Sequence, residues 1–152
     1  MQNTAVKDNQ RSPKTARKGL SKEKTRKGEI ASIKFKNSQD LAFDYMKFAN
    51  CNIKLAMLEM HGNNLNQKSS DYMGKFLESV DNIERLHLNL SISSLTKEFV
   101  DPIGKGLSSL KALKHLELDL SRSKIEAEAF ENLSKAISGS PVLESLTISI
   151  EK

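Results

Sequence analysis

The chain has 152 residues, of which 38% are hydrophobic and 28% are charged, so one folded domain of ordinary size is expected. Its single cysteine, Cys51, excludes an intramolecular disulfide and a zinc site built from several cysteines. No run of about 18 apolar residues is present, which argues against a membrane-spanning helix. We expect an intracellular protein of the cytoplasm or the nucleus.

The formal net charge of +5 comes from the first 29 residues, which carry nine Lys or Arg side chains against three acidic ones. Because this segment is also poor in apolar residues, it predicts a flexible basic arm over residues 1–29, followed by a domain over residues 30–152. A mitochondrial presequence is an alternative, although Asp8 and Glu23 argue against it. The arm residues expected to bind polyanions are Arg11, Lys14, Arg17, Lys18, Lys22, Lys24, Arg26 and Lys27.

Short segments with alternating apolar residues recur along the domain, beginning with Ile30, Ile33 and Phe35. One apolar position of each segment serves as a marker: Ile33, Leu58, Leu86, Leu116 and Leu146. Successive markers are about 25 to 30 residues apart, and a nearly fixed spacing of this length is typical of repeat proteins. The sequence therefore predicts about five similar units.

Each unit combines two apolar periods. The first half alternates, as at Leu116, Leu118 and Leu120, which predicts a strand with one buried face. The second half has helical spacing, and its predicted core residues are Tyr72, Met73, Phe76, Leu77 and Val80; Phe99, Ile103, Leu107 and Leu110; and Ala129, Phe130, Leu133 and Ile137.

Glycine, proline and aspartate predict where two of these helices end or begin. Gly139 predicts the end of one helix in left-handed geometry. Asp101 is a candidate N-cap of another, with Pro102 in its first turn.

The segment "LAMLEMHGNNL", residues 55–65, places Leu55, Leu58, Met60, Asn63 and Leu65 at the spacing L-x-x-L-x-L-x-x-N-x-L. In this it resembles the leucine-rich repeat family, in the long-repeat subtype typified by ribonuclease inhibitor. The third and fourth units depart from the pattern, because an extra leucine, Leu90 or Leu120, extends each strand. In both of these units a serine, Ser93 or Ser123, takes the position of the asparagine.

The resemblance implies an α/β solenoid, a short curved horseshoe with a parallel sheet inside and helices outside. The first unit, "IASIKFKNSQDL", is similar to a terminal cap. After the strand "LTISI" no closing helix follows, so we expect that the domain is truncated at its C-terminus or that a partner covers this edge.

The resemblance also implies that the residues between the leucines face a protein partner on the concave side. Three rows across the strands are expected: Ser32, Met57, Arg85, His115 and Ser145; Lys34, Glu59, His87, Glu117 and Thr147; and Lys36, His61, Asn89, Asp119 and Ser149. The expected partner-binding residues are Glu59, His61, Arg85, His87, Asn89, His115, Glu117, Asp119 and Thr147. The alternative is that these side chains form only a solvated surface.

The three histidines fall on this face along a diagonal, with successive Cα atoms roughly 8 Å apart, so convergence on one metal ion is not expected. No catalytic or phosphate-binding motif is found in the sequence, and we expect no enzyme activity, cofactor or small-molecule substrate. The first hypothesis is a scaffold or interaction module that binds another protein or an assembly. The second is a component associated with RNA or DNA, in which the basic arm contacts phosphates.

Overall fold

The computed structural model describes residues 21–26, 29–35, 48, 51–62 and 65–152. Within those ranges the chain alternates strands and helices. The elements are β1 (Ser21–Arg26), β2 (Glu29–Phe35), β3 (Asn52–Glu59), α1 (Gln67–Ser79), β4 (Arg85–Asn89), β5 (Ser94–Leu95), α2 (Lys97–Ser109), β6 (His115–Asp119), β7 (Lys124–Ile125), α3 (Ala127–Ser138) and β8 (Ser145–Ser149).

The main sheet has six strands in the order β1-β2-β3-β4-β6-β8. Strand β1 pairs antiparallel with β2, and every later pair in this sheet is parallel. The short strands β5 and β7 form a second, two-stranded parallel sheet. The prediction of an α/β fold with a parallel sheet is confirmed.

The strand register corrects the predicted repeat spacing. Ala56 pairs with Leu86, Leu86 with Leu116 and Leu116 with Leu146. Paired residues of neighbouring strands in the main sheet, from β3 to β8, are therefore a constant 30 positions apart in the sequence, as for His87 and Glu117. The predicted marker Leu58 is wrong by two positions, because the equivalent residue is Ala56. Leu55 and Leu58 have the spacing of the first two leucines in the L-x-x-L-x-L pattern, but Leu55 lies on the face of the sheet opposite the core.

The first residues of the three helices, Gln67, Lys97 and Ala127, are separated by the same interval. Asn66 and Thr96 are N-caps, and their side chains accept hydrogen bonds from the amides of Ser69 and Phe99. The predicted N-cap Asp101 is wrong, because α2 starts one turn earlier. Asp101 therefore lies inside α2, and Pro102 lies in the second turn of this helix.

The third helix ends where the sequence predicts, but with different geometry. Its C-cap is Gly139, with φ −76° and ψ −5°, which is right-handed and not left-handed. The amide of Gly139 donates to the carbonyl of Lys135, so the last turn closes without a left-handed residue.

The core lies between the sheet and the helices. Alternate strand residues such as Leu86, Leu88 and Leu118 are at most 2% exposed and join one cluster with Met73 and Phe76 of α1. Burial of each such side chain stabilises the fold by about 1.5–3 kcal/mol. The strand periodicity of two and the helical periodicity thus meet in a single apolar layer.

The helices approach one another closely at glycines. A Cβ atom on Gly74 of α1 would lie 2.5 Å from the carbonyl oxygen of Pro102 in α2, and one on Gly106 would lie 2.8 Å from Cβ of Leu77. The Ser70 hydroxyl donates to the Phe99 carbonyl across the same contact. Gly106, which weakens an isolated helix, is therefore required here for helix packing.

A tight turn follows each of the strands β3, β4 and β6. Gly62, Ile92 and Arg122 occupy its left-handed position, with φ of 100°, 56° and 56°. In the last of these turns, the Ser123 hydroxyl donates to the Leu90 carbonyl at 2.8 Å and accepts from the Ser93 amide at 3.2 Å. A serine thus links neighbouring turns at the position that corresponds to the asparagine of the pattern L-x-x-L-x-L-x-x-N-x-L. Asn63 lies outside the described residues.

Strand β1 occupies part of the segment for which the sequence analysis predicts a flexible arm. Its sequence, SKEKTR, has no apolar residue, so hydrophobic periodicity could not indicate a strand. Its backbone pairs with β2 from Ser21 to Arg26, with register shifts after Glu23 and Lys24. The earlier part of the predicted arm, residues 1–20, lies outside the described residues.

The last strand and the last helix leave apolar side chains exposed. Leu146 is 44% exposed, Ile148 37% and Ile150 62%, although they occupy positions equivalent to buried residues in and after β6. Phe130 of α3, which the sequence analysis places in the core, is 42% exposed. This end of the sheet is uncovered in the described part of the chain.

Candidate functional site

The open face is the side of the main sheet opposite the helices. It carries the alternate residues of β3, β4, β6 and β8, in three rows that the register fixes. The rows are Leu55, Arg85, His115 and Ser145; Met57, His87, Glu117 and Thr147; and Glu59, Asn89, Asp119 and Ser149.

These rows correct the predicted ones for β3. Met57 lies beside His87 and not beside Arg85, and Glu59 lies beside Asn89 and not beside His87. His61 follows the end of β3. For β4, β6 and β8 the predicted rows are the same as the observed ones.

The histidines do not follow the even diagonal that the sequence predicts. His115 pairs with Arg85, so it is one strand and two residues away from His87, roughly 8 Å between Cα atoms. His61 lies further along the chain from Met57, the neighbour of His87, which separates these two histidines by roughly 14 Å. In the described residues no group of three or more metal-ligating side chains is close enough to hold an ion.

His87 is the centre of the open face because it contacts carboxylates on both neighbouring strands. Its Nδ1 atom lies 3.0 Å from Oε2 of Glu117, and its Nε2 atom lies 3.8 Å from Oε1 of Glu59. The side chain of His87 is 26% exposed and that of Glu117 65%. A partner can therefore reach the carboxylate directly and the imidazole along one edge.

Asn89 connects the open face to the turn after β4. Its amide nitrogen donates to Oε2 of Glu59 at 3.2 Å, while its oxygen accepts from the amide and the hydroxyl of Ser91. A side chain held at both ends has few other rotamers available. Asn89 thus fixes the position of Glu59.

Asp119 occupies the equivalent position on β6. Its Oδ1 atom accepts from the Ser121 amide at 2.9 Å. Hydrogen bonds from the Ser121 hydroxyl and amide lower the pKa of Asp119, and the charges of His87 and His61 contribute further. The carboxylate therefore stays ionised to a lower pH than an ordinary aspartate.

The opposite end of the strands carries the positive charges. Lys54 forms an ion pair with Glu84 at 2.7 Å, and Lys114 lies 3.9 Å from the same carboxylate. The hydrogen bond and the charge of Lys54 lower the pKa of Glu84. Together with exposed Arg85, these residues make one margin of the open face cationic, while Glu59, Glu117 and Asp119 make the other anionic.

The structure brings together most of the predicted partner-binding residues. Glu59, Arg85, His87, Asn89, His115, Glu117, Asp119 and Thr147 share the open face, and exposed His61 lies beyond its anionic margin. Of the arm residues, Lys22, Lys24 and Arg26 lie on β1. Arg11, Lys14, Arg17, Lys18 and Lys27 lie outside the described residues.

A groove between α1 and α2 was not predicted from the sequence. Its volume is about 550 Å³, and Gly74 and Pro102 are among the residues that line it. An ion pair of 2.9 Å between Lys105 and Glu78 lies at its side. The sequence shows Gly74 and Pro102 but not that they meet, because that requires knowledge of which helices are neighbours.

Open-face side chains offer hydrogen-bond donors, acceptors and charges of both signs on a rigid sheet. Such a surface can recognise another macromolecule through many weak contacts. Among the helices in the described ranges, none is long and apolar enough to cross a membrane. No protein-family model matches the chain, and no curated protein matches it.

Proposed function

We propose that this chain is a leucine-rich-repeat module that binds another protein through the open face. In this proposal it is a non-enzymatic scaffold or subunit of a larger assembly. The open face is the concave side of a short solenoid, and the helices form the outer side.

The observation that carries this proposal is the constant interval between equivalent residues of successive units. It relates the strand register, the helix starts, the left-handed turn residues and the contacts between units, such as His87 with Glu117. Apolar residues recur at equivalent positions within each unit, whereas the open-face residues change from strand to strand. A constant core with a variable polar surface is the arrangement expected of a repeat protein used for recognition.

The charge pattern supports a protein partner over a nucleic acid for this surface. The anionic margin with Glu59, Glu117 and Asp119 would repel phosphates, and no Phe, Tyr or Trp occupies the three rows for stacking on bases. Recognition of a protein by such a mixed surface depends on matching charges and fixes the orientation of the partner.

Association with RNA or DNA through the basic N-terminal residues is the second candidate function. Its support is the cluster of nine Lys or Arg residues within the first 29 positions. Binding of this kind weakens steeply with salt because counterions are released from the phosphates. Deletion of residues 1–20, which removes five of these nine cationic residues, should weaken it strongly and leave open-face binding intact.

Two variants that preserve net charge test the proposed function. In the first, Arg85→Glu with Glu117→Arg exchanges the charges of two exposed open-face residues. In the second, Glu131→Lys with Lys135→Glu exchanges an ion pair of 2.6 Å on α3 and is the matched control. Tagged wild-type and variant chains are compared by quantitative affinity purification from cells, after thermal unfolding has shown equal stability.

We expect at least one protein to be retained by the wild type and the α3 control and to be lost from the open-face variant. Equal recovery of every bound protein with both variants would refute binding through the open face. Nucleic acid recovered with all three chains, and lost only on deletion of residues 1–20, would favour the second candidate function.

A further inference from the structure

In the described part of the chain, strand β8 is the edge of the main sheet opposite β1. Its sequence, SLTIS, has no charged residue, whereas β1 at the other edge has four charged residues among six. Charged side chains on an edge strand oppose pairing with another chain. The exposed Leu146 and Ile148 thus lie on the edge that is open to association.

The outward backbone groups of β8 follow from the repeat. The Leu90 amide donates to the Asp119 carbonyl at 2.9 Å, and the Leu120 amide donates to the Ser149 carbonyl at 2.8 Å. At the equivalent position of the next unit, the Ile150 amide points away from β6. Because alternate residues of a strand direct their backbone groups to the same side, Leu146 and Ile148 also present theirs outward.

One antiparallel register makes this edge complementary to itself. With a two-fold axis at Ile148, that residue faces its own copy and Leu146 faces Ile150. These are the residues with outward backbone groups, so the pairs can exchange hydrogen bonds. In the same register Thr147 faces Ser149.

The charges flanking β8 agree with this register. Glu144 faces Lys152 of the second copy, and both are exposed. Symmetry forms this pair twice. The ladder between β6 and β8 covers Ser145–Ser149, and hydrogen bonds of the Glu144 amide with the Lys114 carbonyl and of the Arg122 amide with the Glu151 carbonyl hold the flanking residues beside β6.

We propose that a second copy of this chain binds to the β8 edge, with the two β8 strands antiparallel about a two-fold axis at Ile148. The two sheets become one continuous sheet, and Leu146, Ile148 and Ile150 of each copy pack beside those of the other. The edge contact is separate from the open face and leaves its three rows accessible. Self-association of this kind does not depend on the proposed function.

Sedimentation equilibrium of the full chain over a micromolar concentration series tests the register through a charge exchange. The wild type is expected to form a reversible dimer, with a mass approaching twice the 17.0 kDa of the monomer. Glu144→Lys places like charges opposite Lys152 and should raise the dissociation constant by about tenfold. Glu144→Lys with Lys152→Glu should restore the wild-type value. Glu131→Lys, the same charge change on α3, is the control and should leave it unchanged.

Ile148→Lys places two lysines on the two-fold axis and should give a monomer. A wild-type chain that stays monomeric throughout the series overturns the proposal. Any strand that pairs with the β8 edge would then belong to another protein. A dimer that survives Ile148→Lys assigns self-association to a different surface, which also overturns it. Failure of the double variant to restore a dimer weakened by Glu144→Lys excludes the proposed register.

Discussion

Nδ1 of His87 and Oε2 of Glu117 lie 3.0 Å apart across two parallel strands, and the two residues are 30 positions apart in the chain. The residues that follow them, Leu88 and Leu118, pair in the same register and point into the core. One register thus determines both the apolar layer and the arrangement of the open face.

The two faces of β6 should differ sharply in their contribution to stability. Leu118→Ala removes a side chain that is 2% exposed and should lower the free energy of unfolding by about 2–5 kcal/mol. Glu117→Ala, at the adjacent exposed position, should change it by less than about 1 kcal/mol, because exposed ion pairs contribute little. Urea unfolding followed by circular dichroism measures both. A loss of similar size for the two variants would contradict the assignment of the faces.

Gly74 should not tolerate a methyl group, although alanine favours helices. Gly74→Ala places a Cβ atom 2.5 Å from the Pro102 carbonyl oxygen, so α1 and α2 must move apart, and we expect destabilisation by about 1–3 kcal/mol. Gly104→Ala is the matched control, because its Cβ atom would make an ordinary contact of 3.4 Å with Ala136. That variant should gain up to about 1 kcal/mol from helix propensity. Thermal unfolding that ranks the two variants in the opposite order would contradict the helix packing.

Ile92 occupies a left-handed backbone position that is unfavourable for a β-branched residue. Its φ is 56° and it is 46% exposed, so only part of its side chain packs against the protein. Ile92→Asn should therefore raise the free energy of unfolding by about 0.5–1 kcal/mol, because asparagine tolerates this region. Ile103→Asn, at a buried helix position, should be strongly destabilising and serves as the contrast. Destabilisation by Ile92→Asn in chemical denaturation would show that the turn is not strained.

Asp101 should make stability depend on pH in the acidic range. A hydrogen bond from Lys97, one from Asn132 and the charge of Lys97 lower the pKa of Asp101 below its ordinary value of 3.8 in the folded state. The resulting stabilisation is present above that ordinary value and is lost as the pH falls through the lower, folded pKa.

Asp101→Asn removes this contribution, so the difference in unfolding free energy between wild type and variant should be largest at neutral pH. It should shrink in acid as the carboxyl group takes up its proton. Urea unfolding at a series of pH values measures the difference. A difference that stays constant down to about pH 2 would contradict the lowered pKa.

The regular units could be predicted from the sequence because their leucines report burial directly. The strands around Leu86 and Leu116 and the helices after them lie where the two periodicities place them. The register of β3 could not be predicted, because Ala56 at the core position is small and Leu55 on the open face is apolar. Only its pairing with Leu86 distinguishes the two assignments.

Other features depend on neighbours that a single segment does not reveal. β1 has no apolar residue, and its pairing with β2 supplies the hydrogen bonds that make it a strand. Phe130 has helical spacing with Leu133 and Ile137, yet it faces outward because nothing in the described part of the chain packs against that side of α3. The contacts of His87 with Glu59 and Glu117 could not be predicted either, because they depend on the register between neighbouring strands.

Photo-crosslinking in cells from three single positions tests the central claim that the open face is the binding surface. A photoreactive amino acid replaces Glu117 on the open face, Glu131 on α3 or Lys14 in the basic segment, and adducts are identified by mass spectrometry. Binding through the open face predicts a protein adduct from position 117 that is absent from position 131. Protein adducts from position 131 alone, or nucleic-acid adducts from position 14 with none from position 117, would contradict it.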